Sequence, residues 1–451
     1  MTLRCLFVDL NSFFASVEQV ETPALRGQPV GVVPVQAEST CCIAASVEAK
    51  RFGVKTGTLV RDARRLCPGI RIVPARPKLY VEYHHLIIAA IKQHNPDPQA
   101  GSIDEMACEL IGRERQRENA VAIGQAIKDE IARVGAGGLR SSVGIAPNHF
   151  LAKTASDMVK PDGLVVLEQY DLPQALFALA LEDLCGIGPA MHRRLNEYGI
   201  FTVEQLCRAP VAQLRIAWGG IEGERFHARL HGATIPMPNS RTGGEDGAHN
   251  QSVGHSHVLA PEFRNTRSAD AVLRKLLLKA AMRLRSYRKV AGRLHVRVNY
   301  IGAEPWEASC RLDAADDSRL LLHALVGLLA TRCDQRPPLA VGVTLTHLVE
   351  REGSSGDLFA QREENRALTA VIDRINLRYG SNKAFFASAQ EAMDAAPMRI
   401  SFNRIPDAAR EDDSGAAAYA NGSRRTIVDS RPGPVETIAS GQPESSSSAR
   451  K

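Results

Sequence analysis

Residues 5–18 read CLFVDLNSFFASVE. Cys5, Leu6, Phe7 and Val8 form a continuous apolar run, the pattern of a buried strand. The run meets Asp9, a charge that is costly in a dry core unless it is paired or bound to a cation. Asn11 or Ser12 can then cap a helix whose apolar positions are Phe13, Phe14 and Val17. A carboxylate thus falls where a strand yields to a helix, with two aromatic rings one turn away. Two readings stay open here: a strand-end Asp satisfied by the helix N-terminus, or an anionic ligand for a cation.

A second stretch, Ala100 to Leu110, places Asp104 and Glu105 side by side between two short apolar segments. On a strand or tight turn, adjacent side chains point to opposite sides. One of the pair can face Asp9 and the other a metal or substrate edge. Three acids gathered from distant segments repel one another, which implies a divalent cation. Oxygen-only ligands suit Mg²⁺, which shares its shell with phosphates. Two such ions activate a 3′-hydroxyl and stabilise a leaving pyrophosphate in an in-line displacement.

FVDLNSFFASVE, SIDE and the later SVGIAPNHFLAKTASDMVKPDG, in that order, resemble the three signature blocks of the Y-family translesion DNA polymerases. Within that family the chain looks most similar to the catalytic subunit of bacterial DNA polymerase V, on EAKRFGVKTG and AVIDRINLRYG. The resemblance spans roughly residues 4 to 390. It implies an α+β multidomain right hand with palm (1–22 and 70–166), fingers (23–69) and thumb (167–240). A linker (241–249), a little finger (250–350) and a clamp-motif and C-terminal helix segment (351–400) follow, then a disordered tail (401–451). It also implies that Asp9, Asp104 and Glu105 are catalytic and hold two Mg²⁺ ions, with Glu105 helping to orient the primer hydroxyl. Phe14 would be a steric gate that leaves no room for a 2′-hydroxyl. Phe13, Lys50 and Lys160 would meet the nucleotide. Family members often carry Tyr and Arg where this chain has Val47 and Lys50. Lysine is a point charge rather than a bidentate fork, so triphosphate affinity is an open question.

A chain of 451 residues is too long for one core. The apolar fraction of 44% is ordinary for a globular protein, and the net charge of +6 is modest. Nine cysteines are scattered without a CxxC pair, which argues against zinc and for reduced thiols in a cytoplasmic protein. Nothing before Leu6 reads as a signal peptide, and no apolar run is long enough to cross a membrane.

The pattern along the chain predicts strands at 29–34, 42–45, 70–73 and 141–146. It predicts helices at 46–52, 61–66, 80–94, 118–134 and 149–159, the last capped by Asn148. Residues 181–206 hold Gly186-Ile187-Gly188 between two helical patterns, followed by His192, Arg193 and Arg194. Such a helix–hairpin–helix aims backbone N–H groups at a phosphate, so Gly186, Gly188 and Arg193 are candidates for holding DNA without reading its sequence. Beyond the glycine-rich linker, 251–348 reads β-α-β-β-α-β. From Arg264 to Arg297 there are eleven Lys or Arg and a single acid, Asp270. Arg274 and Arg285 stand for a phosphate-tracking surface there, because the acids that usually accompany a solvated helix face are missing. Leu358-Phe359, in a polar glycine-containing segment, resembles a sliding-clamp motif with Ser355 where Gln is usual. An ordinary hydrophobic anchor is the other reading. Residues 366–379 read as a helix, and from Asp407 the apolar periodicity is lost.

The sequence therefore predicts a low-fidelity, template-directed DNA polymerase acting on primer-template DNA and deoxynucleoside triphosphates. The expected partners are a sliding clamp and accessory subunits or a recombinase filament. DNA repair within a DNA-damage (SOS) response follows from the same resemblance. Two other readings stand beside it. A non-catalytic polymerase-like accessory protein would lack the acids, and a helix–hairpin–helix nuclease would need a further acidic cluster.

Overall fold

The apolar run at the N-terminus folds into β1 (Cys5–Leu10), and α1 (Phe13–Glu21) follows at once. A three-stranded sheet comes next, built from β2 (Val30–Val33), β3 (Ala44–Ala45) and, after α2 (Val47–Arg51) and α3 (Val60–Leu66), β4 (Arg71–Pro74). The chain then runs through α4 (Pro77–Ile91), β5 (Gln99–Ala100), β6 (Glu105–Glu109), α5 (Arg117–Val134), β7 (Ser141–Ala146), α6 (His149–Met158) and β8 (Leu164–Val166). The computed structural model describes residues 3–235, 252–333, 336–351, 360–380, 383–392, 395 and 405. All of these lie in a unit spanning Met1–Asp413; the unit Ser414–Lys451 is outside the described residues.

β1 is the centre of a five-stranded sheet of order β5-β6-β1-β7-β8. It pairs antiparallel with both β6 and β7. A central strand is buried on both faces, which is why Cys5–Val8 is apolar without alternation. One face packs on α1, α4 and α5 through Leu6, Val8, Val17, Tyr80, Ile87, Ile127 and Ile131. The other, through Cys5 and Phe7, meets α6 and the thumb. Each such fully buried side chain contributes about 1.5–3 kcal/mol of transfer free energy.

In the small sheet, β2 pairs antiparallel with β3 and parallel with β4. β4 therefore completes the sheet that β2 and β3 begin. Ser46 caps α2 by accepting from Ala49 N–H, and Asn148 caps α6 by accepting from Leu151 N–H at 2.8 Å. The start of α1 differs from expectation. Neither Asn11 nor Ser12 caps it with its side chain, and Ser12 sits at φ 52° in the left-handed region. Asn11 instead accepts from the backbone N–H of Asp162 at 2.7 Å and bonds Ser142. That tether draws the Lys160–Gly163 turn against β1.

The thumb is α7 (Pro189–Glu197), α8 (Val203–Arg208), α9 (Val211–Trp218) and α10 (Glu222–Leu230). The little finger is β9 (Ser252–Val258), α11 (Thr266–Ser286), β10 (Lys289–Tyr300), β11 (Ala303–Ala315), α12 (Ser318–Leu329) and β12 (Pro338–Glu350), with sheet order β11-β10-β12-β9. This is the expected β-α-β-β-α-β order, with α11 and α12 covering one face through Leu273, Leu277, Leu294, Val296, Leu321 and Leu345. α13 (Ala360–Tyr379) comes last. The linker 241–249 and the Leu358–Phe359 motif lie outside the described residues, as does the tail 401–451 apart from Ile405, which packs on the palm core.

Candidate active site

The acids come together as the strand ladder dictates. Asp9 is the register partner of Glu105 on β6 and of Ser142 on β7. Residues directly opposite in an antiparallel pair project from the same face. Asp104 stands one residue before β6. Its carbonyl accepts from Leu10 N–H at 2.9 Å, and its carboxylate accepts from the Ser102 hydroxyl. The two distant segments are thus stitched together by backbone hydrogen bonds at the place where the acids sit.

Lysines from α6 and the turn after it compensate this charge. Lys153 donates to both Glu105 oxygens, at 2.6 and 2.7 Å. Lys160 reaches Asp9 at 2.8 Å and Asp157 at 2.6 Å. α6 can lie this close because β7 carries Gly144 beneath it: a Cβ there would stand 2.0 Å from the Ala152 carbonyl. Burial pushes the Asp9 carboxyl up to about 6, against the pull of Lys160 and with the help of Asp157 and Glu105. Lys50, at the end of α2, lies within electrostatic reach of Lys160, Asp9 and Asp104. Partial desolvation and then the Lys160 charge hold its ammonium below the usual lysine range. Fingers and palm therefore present lysines to one acidic edge.

The aromatic pair divides. Phe13 is 3% exposed, its ring packed within the palm core. Phe14 is only partly buried and stacks on Tyr80, with ring centroids 4.3 Å apart and planes 11° from parallel. Tyr80 donates to buried Glu18 at 2.7 Å, and Arg76 pairs with the same carboxylate. Phe14 is thereby held from behind by a network anchored in α1 and α4.

In the thumb, Gly186 takes φ 96°, the left-handed conformation a tight turn needs, and Gly188 is the residue before α7, whose first position is Pro189. Ile187 between them is buried as the anchor, and Arg193 is exposed. The basic block of the little finger is a different matter. Arg285 is mostly buried and bonds both oxygens of Asp373 on α13, at 2.6 and 2.8 Å. Lys275 donates to the Ala395 carbonyl and Lys289 pairs with Glu350. Arg274 is partly buried, and it adds to the pull of Arg267, whose hydrogen bonds chiefly hold the Glu391 carboxyl below its usual range. The acids missing from the block are supplied by later residues. Arg285 is thus engaged by the C-terminal segment. The block keeps Arg293 and Arg297 for the sheet face opposite the helices, in register with Arg311 and Glu307 on β11.

The family model described as "impB/mucB/samB family" matches residues 8–157, and that of its C-terminal domain matches residues 250–358. The chain belongs to the Y-family of DNA polymerases. It is a DNA-directed DNA polymerase of the translesion type. The polymerase is 33% identical to the DNA polymerase IV of Moorella thermoacetica, over 83% of this chain and 93% of that protein. It is 30% identical to the DNA polymerase IV of Bacillus velezensis, over 89% of this chain and 97% of the relative. Among solved structures it resembles a Y-family chimera, Dbh-Dpo4(243-245)-Dbh, with TM-score 0.61, 25% identity, and coverage of 77% of this chain and 99% of that one. The insertion ternary complex of Dbh DNA polymerase gives a TM-score of 0.51 at the same identity and coverage. The narrower likeness to the polymerase V catalytic subunit is not supported, since these relatives carry the name DNA polymerase IV. EAKRFGVKTG and AVIDRINLRYG are thus not sufficient to assign the branch.

Polymerases of this family depend on divalent metal ions. The donor set here fits a hard cation: all-oxygen, anionic, and with Asp9 buried enough to favour charge compensation. Among the described residues no three His, Cys, Asp or Glu form a ready metal cage, and Asp9 and Glu105 each pair with a lysine. The sequence singled out Asp9, Asp104, Glu105, Lys50 and Lys160. It missed Lys153 as a partner of Glu105, Gly144 as the floor under α6, and Tyr80 as the support of Phe14. The spacing of Lys153 and Lys160, two turns apart around one helix end, was the available signal for the first.

Proposed function

We propose that Asp9, Asp104 and Glu105 hold two Mg²⁺ ions at which a primer is extended by nucleotidyl transfer. The observation that carries this is the pairing of Asp9 with Glu105 across adjacent strands, with Asp104 bonded through its carbonyl to Leu10. When bound, the metal ions supply activation of the 3′-hydroxyl and stabilisation of the pyrophosphate leaving group. The chain's own residues do the rest. Asp9 and Glu105 present oxygens on one face of the sheet, and Glu105 orients the primer hydroxyl. Lys50 from the fingers and Lys160 from the palm close on the triphosphate, and Lys160 exchanges Asp9 for phosphate oxygens as it does so. Phe14, backed by Tyr80, occupies the space a 2′-hydroxyl would need. Gly186, Gly188 and Arg193 hold the duplex backbone, while Arg293 and Arg311 offer a second cationic surface. Leu358–Phe359 docks a sliding clamp. Accessory subunits or a recombinase filament and a cytoplasmic setting belong to the same reading.

Primer extension across an abasic template tests it, with Asp104→Ala as the control. Extension by the unaltered protein and loss of at least about 10³-fold in the variant is the expected result. No extension by either, with and without a clamp, favours a DNA-holding accessory role.

A further inference from the structure

We propose that Lys153 is the resident counter-ion of Glu105: its ammonium occupies the carboxylate before a divalent cation arrives and sets how readily the cation takes its place. The inference rests on the reading of Glu105 as a metal ligand. Lys153 Nζ contacts both carboxylate oxygens, at 2.6 and 2.7 Å, so neither is free of a cation. The pair is sheltered, with side-chain exposures of 23% and 25%, so water screens it poorly. Lys153 is fixed from three sides. Asn148 caps the helix that carries it, the bare Gly144 backbone sets that helix against the sheet, and the Phe7 ring lies 5.3 Å from the ammonium.

The arrangement differs from that of Lys160 in one respect. Lys160 divides itself between Asp9 and Asp157, and it follows the turn after α6. Lys153 lies inside α6, and Glu105 is the one carboxylate it pairs with among the described residues. Without Lys153, Glu105 faces Asp9 in register with no cation of its own. Like charges directly opposite on a ladder are destabilising. Lys153 therefore keeps Glu105 aimed along the sheet in the metal-free polymerase and competes with the metal for its oxygens. It is a positioning residue, acting through Glu105.

The test measures metal binding without turnover. The full-length polymerase is bound to a primer-template whose primer ends in a dideoxynucleotide, and Mn²⁺ is titrated with the free ion read by electron paramagnetic resonance. In Lys153→Met and Lys153→Gln we expect Mn²⁺ to bind roughly tenfold more tightly, the scale on which one neighbouring charge biases a carboxylate site. Lys153→Arg, which keeps the charge in a bidentate fork, should bind as the unaltered protein does. Thermal unfolding in chelator should show both neutral variants less stable than Lys153→Arg. Unchanged or weaker Mn²⁺ binding in both neutral variants, while Glu105→Gln weakens it, overturns the role of Lys153 and leaves the site reading intact. Mn²⁺ binding indifferent to Glu105→Gln overturns the site reading itself.

Discussion

Replacing Gly144 by Ala tests the geometry on which the site depends. A Cβ at this position would lie 2.0 Å from the Ala152 carbonyl oxygen, 2.4 Å from the Ser156 nitrogen and 2.9 Å from the Ala155 Cβ. Two of these are backbone atoms, so no rotamer change relieves the clash. Ordinary contact begins near 3.4 Å, so α6 must recede from β7 by about 1.4 Å. If the helix moves as a body, the 2.8 Å contact of Lys160 with Asp9 stretches to about 4 Å, and Lys153 withdraws from Glu105. The expected cost is about 3 kcal/mol, the upper end of overpacking effects. A misplacement of about 1 Å at a reacting centre is worth up to roughly 100-fold in rate. Urea unfolding and single-turnover extension read these two quantities. Gly327→Ala, on α12 with nothing within 4 Å of the added atom, is the control: it should leave extension unchanged and raise stability by about 0.5–1 kcal/mol, as Ala for Gly does inside a helix. Near-normal stability in Gly144→Ala, within about 0.5 kcal/mol, together with undiminished extension would refute the argument that this glycine sets the helix against the acids.

Four further outcomes are expected. Phe14→Ala should raise ribonucleotide incorporation by one to two orders of magnitude, roughly what pocket shape separates between substrates differing by a few atoms; unchanged sugar discrimination in single-turnover assays would exclude the gate. Arg285→Ala should destabilise the little finger by about 3–5 kcal/mol by stranding partly buried Asp373, with no change in the salt dependence of DNA binding. Arg193→Ala should instead reduce the slope of log affinity against log salt by about one, with little effect on unfolding. Buried His84 donates from Nδ1 to the Ile103 carbonyl at 2.7 Å, and burial holds its imidazole below the ordinary value of 6.5. Above 6.5 both folded and unfolded forms are neutral and its stabilising contribution is complete. As pH falls below 6.5 the unfolded chain takes up the proton first, so that contribution is lost. His84→Gln should flatten this limb of the stability–pH curve, and an unaltered limb would show that another group causes it.

Much of this was legible because short-range chemistry decided it. The apolar run before Asp9 had to be a strand, and Asn148 before a helical pattern had to be a cap. The β-α-β-β-α-β order of the little finger followed from periodicity alone. What was not legible is long-range. Asp373, Glu391 and Glu350 pair with Arg285, Arg267 and Lys289 of a block that looks unpaired in the sequence. Phe13 and Phe14 are adjacent and chemically identical, and the turn of the helix alone sends one into the core and the other onto Tyr80. Asn11 was available to cap α1, yet a turn some 150 residues away holds its side chain. In each case the partner lies too far along the chain for spacing to reveal it.

The junction between β1 and β6 has a wider consequence. Asp9 and Glu105 meet because two strands pair, and the small sheet with its helices is an excursion between α1 and α4, residues 22 to 75. Such a loop-out can be lengthened, trimmed or exchanged with a homologue's while the ladder stays intact. Lineages are thereby free to remodel which damaged template the enzyme tolerates without rebuilding its chemistry.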